Sequence, residues 1–207
     1  MTSNTRLKLL ATAIGLALTS AASAATSQNV QVSLALAPQA SLTAQLGLGA
    51  DAALVPQSVV NTVHGTRIVR QQQTWNGIPV YGRTVAVEED GNGRALAVQG
   101  QVETALAFDI ASPTPKLGAA AAVTVLRGQA RALLKAGAEL ENVQSMLYVL
   151  PGEGTKARLA YLVSFFVNGD KPTRPTAFID ADTGAVLESW EGLTDASATG
   201  PGGNQRT

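Results

Sequence analysis

The sequence predicts an α+β fold of two small domains, each an antiparallel sheet with one or two packed helices. Three observations carry that expectation. Apolar and polar residues alternate on both sides of Gly/Asn/Asp turns between Thr66 and Val102. A single stretch of helical spacing follows residue 118, with short strand-like runs after it. Between the two patterns lies "DIASPTPKLG", residues 109–118, whose two prolines and glycine read as a linker.

The first segment, "MTSNTRLKLLATAIGLALTSAASAATS", places Arg6 and Lys8 before an apolar run from Leu9 to Leu18 and then small residues. That order is a secretory signal peptide, 1–24, and the run is too short to span the ~30 Å core of a bilayer. Ala22 and Ala24 occupy the two recognition positions, so cleavage is expected after Ala24 or Ala25. Cleavage after Ala24 takes 24 of the 207 residues away and leaves 183, enough for one ordinary domain or two small ones. The product is expected to be secreted or periplasmic, with no membrane association once the signal is gone.

Residues 25–50 are weakly patterned, with a short helix expected after Pro38 and Gly47 suited to the left-handed position past its end. Residues 51–108 form the first expected domain. Asn76-Gly77 marks a tight turn before Ile78-Pro79-Val80-Tyr81, and "EDGNG" separates Thr84–Glu88 from Arg94–Gln99 as a second hairpin. Residues 119–192 form the second. Val123, Leu126, Ala130, Leu133 and Leu134 share a helical face that Gly137 would close. Strands are expected at Ser145–Leu150, Leu159–Val167, Thr176–Ile179 and Ala185–Trp190. Residues 193–207 are a soft tail of Ala, Ser, Thr and Gly.

Composition excludes several functions. Hydrophobic residues make up 45% of the chain, which is ample for a core, and there is no Cys to staple it. Fifteen basic and fifteen acidic residues cancel without forming a basic run, so no nucleic-acid partner is expected. His64 is the only histidine, and H-E-x-x-H is absent, so the chain offers no zinc site or serine–histidine pair beyond that one ring. His64 precedes Gly65 and reads as a turn residue. Glu88-Glu89-Asp90 reads as a charged hairpin tip. "DADTG", residues 180–184, resembles half a calcium loop but lacks the distal Glu, and reads as a turn. No catalytic, cofactor-binding or metal-binding residue is expected.

The stretch "GTRIVRQQQTWNGIPVYGRTVAVEEDGNG" resembles the fungalysin/thermolysin propeptide domain through Arg70, Gln72, Gln73, Trp75, Gly77, Ile78, Pro79, Val80 and Gly82. Trp75 stands where that motif more usually has Tyr. Residues 119–190 resemble the PepSY domain, with Tyr161-Leu162-Val163 and "AFIDADTGAVLESW" as its strands. "GPGGNQ", residues 200–205, resembles the opening of mature peptidases of the pseudolysin type.

The resemblance implies a pro-region that helps a thermolysin-like zinc metallopeptidase domain to fold and blocks its cleft until autocleavage. That cognate domain is the implied partner, and zinc and calcium would belong to it, lying beyond this chain. The implied processing junction falls within Thr194, Asp195, Ala196, Ser197, Ala198 and Thr199. A monomer is expected. Trp75, Ile78, Val80 and Tyr81 are candidates for the surface that meets the peptidase, with core packing as their competing role. The other reading from the residues is a stand-alone secreted or periplasmic PepSY-type inhibitor acting in trans.

Overall fold

The computed structural model describes residues 24–33, 41–134, 139–152, 154–169 and 171–193. The expected signal segment through Ser23, the helix end expected at Gly137 and the junction expected at 194–199 lie outside the described residues. Five strands build the first sheet: β1 (Thr26–Ser33), β2 (Ala52–Asn61), β3 (Arg67–Trp75), β4 (Ile78–Glu89) and β5 (Ala95–Thr104). They lie in the spatial order β2-β3-β4-β5-β1, every pair antiparallel. The short helix α1 (Leu42–Gln45) starts at Ser41, whose hydroxyl accepts the Ala44 N–H at 3.3 Å. Gly47 then turns at φ +67°, delivering Leu46 and Leu48 onto the sheet.

The alternation expected for β4 and β5 is present as Val85, Val87, Val98 and Val102, all at most 2% exposed. With Val30, Leu46 and Leu48 they form the first core. Two strands went unforeseen. β1, from the weakly patterned segment, pairs along its whole length with β5. β2 is an edge strand with mostly exposed side chains, and its pairing with β3 slips between Pro56 and Ser58. An edge bulge is where a strand tolerates proline.

The second sheet is β6 (Glu141–Leu150), β7 (Arg158–Phe166), β8 (Pro175–Asp180) and β9 (Val186–Glu191), antiparallel in chain order. Helix α2 (Ala119–Gln129), continued by a 3₁₀ turn over Ala130–Leu133, covers one face. Ala122, Leu126 and Ala130 are its buried side chains, and two alanines let the helix sit close over Val149, Tyr161, Val163, Phe165 and Ile179. The two sheets join at one parallel bridge, Val80 to Val149.

Packing does not stop where the first sheet ends. Trp75 and Val80, at the tip of the β3–β4 hairpin, belong to the second core together with Leu106 and Ile110. Nor is 109–118 slack. Leu117 N–H bonds Ala181 O at 2.8 Å, the Tyr161 hydroxyl donates to Leu117 O at 2.9 Å, and Lys116 pairs with Asp182 at 3.2 Å. The segment is a strap along the second sheet. Among the described residues no helix is long and apolar enough to cross a membrane.

Gly100 sits between Val85 and Val30 in the middle of the first sheet. A Cβ there would come within 2.2 Å of Thr84 O, and its φ is +149°. Gly100→Ala is therefore expected to cost about 2–4 kcal/mol, strain and overpacking combined, read as a lower urea midpoint.

Candidate functional site

The motif residues of the first sheet converge on a bend in β4. Gln72 pairs with Thr84, but the next pair is Thr74 with Pro79, so Val80 to Arg83 all lie opposite Gln73. This detour steps β4 out of the first sheet and lays Val80 on Val149 of the second. Gly82, at φ +68°, supplies the left-handed residue that the detour needs. Just before it, Asn76 (φ 47°) and Gly77 (φ 80°) form the two-residue turn of the hairpin, both in the conformation that a type I′ turn requires.

Two glutamines hold the bend. Gln72 Nε2 lies 2.7 Å from Val80 O and 2.9 Å from both Arg83 O and Gln73 O. An amide nitrogen has only two hydrogens, so one is shared between two carbonyls. Gln73 is wholly buried and behaves as a borrowed peptide group. Its Nε2 donates to Glu103 O at 2.6 Å and its Oε1 accepts the Glu103 N–H at 2.7 Å.

The Glu103 side chain, 2% exposed with its residue, closes the network from β5. Its Oε2 accepts from Arg83 Nε at 3.0 Å and from the Ser27 hydroxyl at 2.6 Å, and an Arg83 terminal nitrogen donates to Ser27 Oγ at 2.5 Å. A buried ion pair is tolerable when its spare lone pairs and hydrogens are satisfied in this way. Three strands, β1, β4 and β5, meet at that one carboxylate.

The remaining motif residues take structural places. Trp75 is 3% exposed, and its indole N–H donates to the Asp51 carboxylate. Val80 is fully buried, while Ile78 is half-buried against the second core and Pro79 half-buried opposite Thr74. Arg70 stands exposed on β3. So of the four residues proposed for a contact surface, Trp75 and Val80 are core and Ile78 largely so. Tyr81 alone, at 40% exposure, faces out.

Tyr81 opens an aromatic row that the sequence had not suggested. Its ring meets Phe178 edge to face at 4.7 Å and Tyr148 at 5.6 Å, and Phe178 in turn lies 5.6 Å from Trp190. The row lies on the face of the second sheet opposite α2, because Tyr148 and Phe178 alternate with the helix-facing Val149 and Ile179. All of β8 is buried as a result, α2 on one side and this row on the other. Tyr81 and Trp190 (37% exposed) are its exposed members, and Met146, two residues before Tyr148 on β6, is exposed as well.

Among the described residues no group of three or more His, Cys, Asp or Glu could hold a metal ion. His64 is exposed in the β2–β3 turn. At the acidic tip, Glu88 bonds Thr66, Glu89 pairs with Arg67 at 2.7 Å, and Asp90 accepts the Asn92 and Arg94 N–H groups. In "DADTG", Asp180 spends its carboxylate on the Asp182 and Thr183 N–H groups and on the Arg158 guanidinium, so it closes a turn.

Comparison with known proteins agrees with this location. Residues 52–102 match the Fungalysin/Thermolysin Propeptide Motif. The chain is 40% identical over 156 residues to the hemagglutinin/proteinase of Vibrio cholerae, covering 72% of this chain and 25% of that protein. It is 40% identical over 143 residues to the neutral protease of Vibrio proteolyticus, covering 67% and 23%. With neutral protease B of Bacillus subtilis it shares 30% over 131 residues, covering 63% and 24%. The chain thus spans about a quarter of the length of the curated relatives it matches, in their N-terminal region. Among solved structures, the YpeB C-terminal domain of Bacillus megaterium aligns over 69% of this chain and 57% of its own at 18% identity, with a TM-score of 0.31, too distant to bear on the fold.

The bend and the β8–β9 turn can each be tested by substitution. Gln73→Met keeps the volume but leaves the Glu103 N–H and C=O unpaired, and is expected to cost about 2–4 kcal/mol; Arg70→Ala should stay within about 0.5 kcal/mol in the same urea titration. Burial pushes the Asp180 carboxyl up, but the N–H groups of Thr183 and Asp182, the Thr183 hydroxyl and Arg158 outweigh it and hold it below its ordinary 3.8. Its stabilisation is complete above that value and is lost as pH falls through the lowered one. Urea midpoints measured down through acid should therefore fall less steeply in Asp180→Asn than in the parent.

Proposed function

We propose that this chain, which bears the fungalysin/thermolysin propeptide motif and is homologous to the N-terminal regions of thermolysin-like metalloproteases, is the pro-region of a secreted or periplasmic zinc metalloendopeptidase precursor. The observation that carries the reading is the match to the Vibrio cholerae hemagglutinin/proteinase, 40% identical yet confined to 25% of that protein. In this reading its partner is the cognate peptidase domain, which would bring its own zinc and calcium. The pro-region would act as a monomer, template the folding of that domain and occupy its cleft. Residues 119–192 would be its PepSY-like unit, and the processing junction would lie within 194–199.

Tethering makes the inhibition plausible without high intrinsic affinity, since a linked segment faces its target at an effective concentration of order mM. Cutting the link removes that advantage. The contact surface we assign is the aromatic row that exposes Tyr81 and Trp190, together with exposed Met146. Large exposed aromatic side chains braced by buried ones suit a surface that another protein covers.

The test is inhibition in trans. Residues 25–195, added to the mature cognate peptidase, are expected to inhibit it at micromolar concentration or below and to raise the yield when the denatured peptidase is refolded. Tyr81→Ala should weaken inhibition about tenfold or more with circular dichroism unchanged, whereas Trp75→Ala should lose the fold itself. A folded pro-unit that leaves the peptidase fully active at micromolar levels would refute the inhibitory role.

A further inference from the structure

The described chain begins at Ala24, and the next residue already occupies a particular place. Ala25 N–H donates to Asp109 Oδ2 at 3.2 Å, and the same oxygen accepts the Ala157 N–H at 2.8 Å. The Ala25 methyl packs against the second core. One carboxylate oxygen therefore ties the entry to β1, the end of the first sheet and the start of β7.

The charges around it do not balance. Asp109 lies in a cleft of about 280 Å³ whose other charged groups are Lys116, Arg158, Asp180 and Asp182. Lys116 pairs with Asp182 at 3.2 Å and Arg158 with Asp180 at 3.5 Å. Asp109 is the carboxylate left over, and among the described residues it takes part in no ion pair. It is half-buried, where a lone anion is costly unless a cation reaches it.

We propose that signal cleavage falls between Ala24 and Ala25, and that the α-ammonium it creates docks on Asp109 as the missing cation. Water adds across that peptide bond. The Ala24 carbonyl carbon takes the oxygen and leaves as a carboxylate, and the Ala25 nitrogen departs as an amine that is protonated in neutral water. A neutral amide N–H facing an anion thus becomes an ammonium facing it, with no movement of the chain. Cleavage one residue later would discard the residue that makes the contact, so the geometry distinguishes the two bonds that the small-residue pattern leaves open. The consequence is an ion pair at a contact that the uncut precursor makes only as a neutral hydrogen bond. The inference rests on the export reading and goes beyond it.

The first measurement is N-terminal sequencing of the exported protein, where Ala25 is expected as the first residue. The second is a cycle of four proteins, all residues 25–207: the free amino terminus or its Nα-acetyl form, each with Asp109 or Asp109→Asn. Asn keeps an oxygen acceptor for Ala157, and acetylation leaves Asp109 untouched. Acetylation of the parent should raise the unfolding equilibrium constant roughly three- to fivefold, and that effect should disappear with Asp109→Asn. An exported chain that retains residues 1–24 overturns the export reading and the ion pair with it. A first residue other than Ala25 after cleavage overturns the assigned bond. Correct cleavage combined with no effect of acetylation, or with the same effect in Asp109→Asn, overturns the ion pair alone.

Discussion

The structure turns on a side chain doing the work of a backbone. At Gln73 the β3–β4 ladder is interrupted, and β5 would end there with an unpaired N–H and C=O at Glu103 inside the protein. Gln73 offers both complements from one amide, so the ladder is continued by a group that belongs to no strand. Leaving such a pair unsatisfied would cost about 1–3 kcal/mol per group. Because β5 no longer needs β4 at this level, β4 is free to leave. It leaves carrying Val80 to the second sheet and Tyr81 to the aromatic row.

The same bend explains why the polar residues here are so dense. Arg83 is turned inward by the detour and must find an anion, and Glu103, already fixed by Gln73, is in reach. Ser27 on β1 fills the remaining geometry. A pair of buried ions adds little net stability, but it penalises any register that separates the partners. The network thus specifies one alignment of β1, β4 and β5 in a chain that has no disulfide to impose it.

Much of this architecture was legible in the sequence, and the parts that were not share a cause. Turn chemistry at Asn76-Gly77 and the alternation around "EDGNG" are local signals, so the hairpins could be read directly. The helix and four strands of the second sheet were legible for the same reason. β1 was missed because its partner β5 is far away in sequence, and among its described side chains only Val30 is buried. The motif Gln72-Gln73 was visible as a pattern, but its meaning depends on Glu103, whose position in the chain advertises nothing. Trp75 and Val80 looked equally suited to a surface or a core. They are core because the hairpin tip packs into the second core, with Val80 laid beside Val149, a tertiary fact with no local trace. Phe178 and Trp190 likewise join Tyr81 only through the bend.

β2 has a further meaning at the surface of the molecule. It presents an open strand edge with Val55, Val59 and Val60 exposed, the kind of template on which chains zip together into aggregates. Pro56 offers no amide hydrogen to a docking neighbour, and the slip beside it throws the edge out of step. Copies of this fold are thereby discouraged from stacking edge to edge.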